Sequence, residues 1–274
     1  MLWKGRKGST NIEDRRGKSG KRKLVGGGIG ATLLAFIFYL FGGNLSSGSA
    51  ESTFTPEQRA AQAADSAFIS VVLAETENVW RQQFTEIGKK YTDPTLTLFD
   101  QKVESACGFG SAASGPFYCP GDQHVYIDLS FFNALKNKYN VKGDFAMAYV
   151  VAHEIGHHVQ YLLGTTAKVQ EMKKGLSETE ANRLSVKVEL QADFYAGVWA
   201  HYTREEKLLE DGDIAEALDA ANAIGDDKLQ LRSKGRIVPE TFTHGTSVQR
   251  MSWFKKGYKT GDMNQGDTFN SPDL

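Results

Sequence analysis

Val150-Val151-Ala152-His153-Glu154-Ile155-Gly156-His157-His158-Val159-Gln160 sets the pattern His-Glu-x-x-His inside an apolar run. On a helix, residues four apart lie about 5–6 Å from each other on one face. His153 and His157 can therefore each turn a ring nitrogen toward one metal ion. Glu154, one residue round from His153, is placed to act as general base on a water held by that ion. Gly143-Asp144 ahead of the run and Gly164 behind it predict a helix over residues 144–163. The competing reading is a buried helix whose His and Glu satisfy each other. His158 falls about 140° round the helix from His153, which makes it a supporting or packing residue rather than a third ligand.

A catalytic zinc takes three protein ligands and keeps a fourth position open. Ser177-Glu178-Thr179-Glu180 fits a capping box and opens a second helix expected to reach about His201. That helix carries Glu189 and Asp193, four apart and so on one face. Glu189 is the expected third ligand. Asp193 is expected to accept the far N–H of a ligand histidine, with His153 as its partner, fixing the ring's tautomer and orientation. By itself such a pair would be an ordinary solvated acidic face. Its place on a helix shortly after His-Glu-x-x-His gives it the other meaning.

Further out, composition bounds the remaining possibilities. The 274 residues are 41% hydrophobic and 24% charged, as in ordinary globular proteins, with room for one large or two small domains. A net charge of −1 offers no overall basic field for nucleic acid. The charge is nevertheless uneven, because Lys4, Arg6, Lys7, Arg15, Arg16, Lys18, Lys21, Arg22 and Lys23 face only Glu13 and Asp14 in residues 1–23. This segment reads as a disordered, basic cytoplasmic tail. Residues 24–43 carry no charge, and at 1.5 Å per residue they span about 30 Å, the thickness of the bilayer hydrocarbon core. They are read as a transmembrane helix, with the basic flank cytoplasmic and everything after it extracytoplasmic. A cleaved signal peptide ending among the small residues 46–50 and a buried soluble helix are the rival readings.

Residues 44–55 form a Ser/Gly-rich linker. Residues 56–260 form the catalytic domain, and the polar residues 261–274 are expected to fray. Thr55-Pro56-Glu57 opens a long helix that ends near Gly88. Strands are expected over residues 95–99 and 124–129. Between them lies a Gly-rich loop bounded by Cys107 and Cys119, which in an oxidising compartment would form a disulfide. Their separation is far from zinc-ligand spacing. Asp213 is expected to cap an Ala-rich helix that ends at Gly225.

Trp3-x-Gly5-Arg6, Asn11-Ile12-Glu13-Asp14-Arg15-Arg16, Gly115-Pro116-Phe117-Tyr118-Cys119-Pro120, Val125-Tyr126-Ile127-Asp128-Leu129-Ser130, the His153 to His158 run and Phe242-Thr243-His244-Gly245-Thr246-Ser247 resemble the bacterial putative neutral zinc metallopeptidase family across nearly the whole chain. The resemblance implies a membrane-anchored protein with a zincin-like catalytic domain, α+β and mostly helical with a small sheet. It is similar also to the broader gluzincin class, in which a Glu from a later helix completes the site. In membrane-associated gluzincins a His that faces the substrate oxygen is followed six residues later by an Arg that braces the site. His244 and Arg250 have that spacing, so His244 is the expected oxyanion donor and Arg250 the expected brace. The competing reading makes His244 a cap for a helix starting near Thr246, with Arg250 in a solvent ion pair.

The expected protein is therefore a single-pass bacterial membrane protein whose extracytoplasmic domain uses Zn2+ to hydrolyse a peptide or protein substrate. One alternative is a proteolytically silent zinc-bound protein that holds envelope partners, and another is a zinc amidase acting on cell-wall peptides. Of the first two, only the enzyme needs Glu154. No feature of the sequence sets an oligomeric state.

Overall fold

The structure, a computed structural model, describes residues 1–17, 56–111, 115–272 and 274. In chain order its elements are β1 (Ile12–Asp14), α1 (Pro56–Glu86), β2 (Thr95–Phe99), β3 (Lys102–Ser105), β4 (Gly108–Ser111), β5 (Phe117–Cys119), β6 (His124–Asp128), α2 (Ser130–Tyr139), α3 (Phe145–Leu162), α4 (Thr165–Met172), α5 (Glu178–Glu205), α6 (Asp213–Ala223), α7 (Asp226–Lys234) and α8 (Ser247–Thr260). This is a mostly helical α+β arrangement. Four strands form a mixed sheet in the order β1-β2-β6-β5, with β1, β2 and β6 parallel and β5 antiparallel to β6. The hairpin β3-β4 forms a separate pair.

Helix α3 is the centre of the packing, lying against α1, α5 and α6. Its residues from Phe145 to Ile155 are almost all buried, as its near-continuous apolar run requires. Gly164 ends it in the left-handed conformation, φ 84°. The Ser177 capping box is present at the start of α5, with both of its hydrogen bonds made. Gly156 sets how closely α3 and α5 approach. A Cβ at that position would stand 2.9 Å from the Ala192 carbonyl oxygen. The two helices thereby bring the His-Glu-x-x-His face against the Glu189–Asp193 face.

Four expectations are corrected. Residues 1–17 are not a disordered basic segment: β1 pairs in register with β2, Ile12 beside Leu96, and Met1 is buried in the main core. Residues 261–272 do not fray, because Thr268 is fully buried and donates to the Lys187 carbonyl at 2.6 Å, while Gln191 Nε2 donates to Gly266 O at 2.8 Å. Residues 107–119 are not simply a loop, since they contain β4 and β5. Asp213 is the first helical residue of α6, with Gly212 at the cap position. The expected disulfide between Cys107 and Cys119 is formed. The expected membrane span at residues 24–43 lies outside the described residues, among which no helix is long and apolar enough to cross a membrane.

Candidate metal centre

His153, His157 and Glu189 meet where α3 faces α5, with one donor atom from each lying within 4.8 Å of the others. Glu189 Oε2 is 3.1 Å from His153 Nε2 and 3.6 Å from His157 Nε2. Two imidazole nitrogens and one carboxylate oxygen are the donor set of a catalytic zinc site, so the residues present fit the ion. Both rings have their other nitrogen occupied. His153 Nδ1 lies 2.8 Å from Asp193 Oδ1, and His157 Nδ1 lies 2.9 Å from Gln160 Oε1. Gln160 Nε2 donates to Val188 O at 2.7 Å and to Gln191 Oε1 at 3.0 Å, which turns its carbonyl oxygen toward His157. Each Nδ1 is thus the N–H donor, and in the neutral ring each Nε2, on the side of Glu189, is the nitrogen whose lone pair a metal ion would take.

Charge at the centre is held by a buried network. Asp193, fully buried, accepts from Arg250 Nε at 2.8 Å, from Arg250 Nη2 at 3.0 Å and from the Tyr149 hydroxyl at 2.5 Å. Burial alone would raise the Asp193 carboxyl, but Arg250 and then His153 outweigh it and hold the pKa down at about 2. Burial would likewise lower the His153 imidazole, and Asp193 with Glu189 instead raises it to about 10. The same carboxylate field favours a cation between the three ligating groups. Glu154 is 7% exposed, and burial raises its carboxyl against the lowering influence of His153 and His157.

His244 reaches the centre from the loop before α8. Asp226, at the start of α7, accepts the backbone N–H groups of Thr243, His244 and Gly245 at 2.8, 2.7 and 3.0 Å, gathering the loop around one carboxylate. The His244 ring keeps Nδ1 2.9 Å from Thr243 Oγ1 and 3.5 Å from Asp226 Oδ1. Burial raises the Glu189 carboxyl, yet the charge of His244, followed by that of His157, drives it well below its usual range. The helix cap is Thr246, not His244, and Arg250 is 2% exposed with Asp193 as its partner, so the capping and solvent-pair reading fails for both residues.

His158 turns away from His153, His157 and Glu189, as its angular position requires. Its Nε2 donates to Thr92 O at 2.6 Å, its Nδ1 receives the Tyr118 hydroxyl at 2.9 Å, and burial lowers its pKa to about 4. It ties α3 to β5, which the disulfide in turn joins to the β3-β4 turn. A second acidic group, Asp144, Asp213 and Glu216, has the Met1 ammonium 2.9 Å from Asp144 and 3.3 Å from Asp213. Three supporting residues were missed in the sequence. Tyr149 and Gln160 stand four residues before His153 and three after His157, a helical spacing that could have revealed them. Asp226 offers no such local signal.

The sequence matches the family described as "Putative neutral zinc metallopeptidase" over residues 1–269. The uncharacterized protein YpfJ of Escherichia coli is 46% identical over 98% of this chain and 99% of its own length. The uncharacterized protein Rv2575 of Mycobacterium tuberculosis is 46% identical over 67% of this chain and 65% of its own. No solved structure matches the chain.

Proposed function

The chain belongs to the putative neutral zinc metallopeptidase family, and we propose that it hydrolyses peptide bonds with one zinc ion held by His153, His157 and Glu189. The observation that carries this reading is the convergence of both Nε2 atoms on Glu189 while Asp193 and Gln160 occupy both Nδ1 atoms. Zinc in such a donor set supplies Lewis acidity and makes water a nucleophile near neutral pH. Glu154 accepts the attacking water's proton and returns it to the leaving amine. His244, with Nδ1 turned to Thr243 and Asp226, offers Nε2–H to the oxygen that gains charge at the scissile carbonyl. Arg250 acts through Asp193, which holds the His153 ring in its ligating tautomer.

An unbiased cleavage screen of the full chain against Glu154→Gln, with zinc measured in both, tests the proposal. The wild type should cleave peptides that the variant leaves intact, at equal zinc content. Zinc in both with cleavage by neither would favour the silent envelope-interaction protein. Release of cell-wall peptides alone would favour the amidase.

A further inference from the structure

Residues 1–17 are built into the domain as firmly as its own strands. The Leu96 N–H donates to Asn11 O at 2.8 Å and the Arg15 N–H to Leu98 O at 2.8 Å, so β1 covers what would otherwise be the open edge of β2. Two buried carboxylates on α1 depend on the same segment. Glu75 accepts from Arg6 Nη1 at 3.0 Å, and Glu77 accepts from Ser9 Oγ at 2.6 Å and Asn11 Nδ2 at 2.9 Å. Trp3 sets its ring edge-on to Phe68 at 5.5 Å. At Gly8 the backbone comes so close to α1 that a Cβ would stand 2.2 Å from Ser70 Oγ.

Hydrogen bonds of this length cannot be made across a hydrocarbon core about 30 Å thick. A single bilayer crossing between residues 17 and 56 would nevertheless put these partners on opposite faces. We propose that residues 1–17 and the domain from residue 56 onward share one side of the membrane, the exported side. The Cys107–Cys119 disulfide points to the exported side, because such a bond persists in oxidising compartments and is rare in the cytosol. Part of the charge that argued for a cytoplasmic amino end is also used by the fold itself. Arg6 pairs with Glu75, Arg15 with Glu13 and Arg16 with Asp14, at 3.0, 2.7 and 2.6 Å. The reading of residues 24–43 as a membrane segment stands behind this inference, whereas the zinc chemistry does not.

Single cysteines placed at the exposed Lys7 and at the exposed Lys168 on α4 test it in the full chain, because the two native cysteines are already bonded. Spheroplasts producing Lys7→Cys or Lys168→Cys are treated with a membrane-impermeant maleimide before and after permeabilisation, and the membrane fraction is read. Both variants should label fully before permeabilisation. Protection of Lys7→Cys alone restores the single crossing and overturns the shared side. Protection of both overturns the exported placement, and recovery of the chain in the soluble fraction overturns the membrane premise.

Discussion

The metal centre and the amino-terminal segment both serve buried carboxylates from elsewhere in the chain, but they do so at very different depths. Asp193 and its partner Arg250 are almost wholly out of water and sit on two long helices. Glu75 is nearly as buried, yet its partner Arg6 keeps a third of its side chain in solvent on a stretch of coil. A partner removed at the centre strands a charge that water cannot reach, whereas removing the part-exposed Arg6 opens the solvent side of its pair, so that water can take its place beside Glu75. The centre should therefore respond steeply to single changes. The segment should respond mainly to loss of its apolar packing.

Asp193→Ala should break the comparison most visibly. It leaves Arg250 buried without its carboxylate, a loss of about 3–5 kcal/mol in urea unfolding, and should weaken zinc binding by ~10–100-fold in a chelator competition. Next comes Trp3→Ala, which removes a half-buried ring from Phe68 and should cost ~2 kcal/mol by the same unfolding measurement while leaving zinc affinity unchanged. Gln160→Ala frees the His157 ring to rotate or change tautomer. A zinc affinity lowered by ~10-fold is expected, toward the lower end for an outer partner of a ligand. Arg6→Ala should be mildest, at ~1 kcal/mol or less and fading further in high salt. An Arg6 effect as large as that of Asp193 would erase the distinction between the two regions.

The same contrast explains what could be read from the amino acids alone. His153 with His157 and Glu189 with Asp193 each follow the period of one helix, and Ser177 with Glu180 and the stop at Gly164 are equally local. Such signals need no knowledge of the rest of the fold. The amino-terminal segment carries its apolar residues and charges without a period, and it is ordered by Ser70, Glu75, Glu77 and Leu96, all remote in sequence. Composition therefore made it look unable to fold. The order of residues 261–272 is hidden in the sequence for the same reason, since Gln191 and Lys187 on α5 supply their partners. Asp226, which gathers the His244 loop, lies 18 residues before that histidine on a separate helix.

The zinc content of the purified full chain after exhaustive dialysis, compared between wild type and Glu189→Ala, tests the central claim most directly. One zinc per chain in the wild type and almost none in a folded Glu189→Ala is the predicted result, because the variant loses a ligating oxygen while keeping both histidines and their outer partners. Full zinc occupancy in Glu189→Ala, or a folded wild type that takes up no zinc when the ion is supplied, would contradict the assignment of this centre.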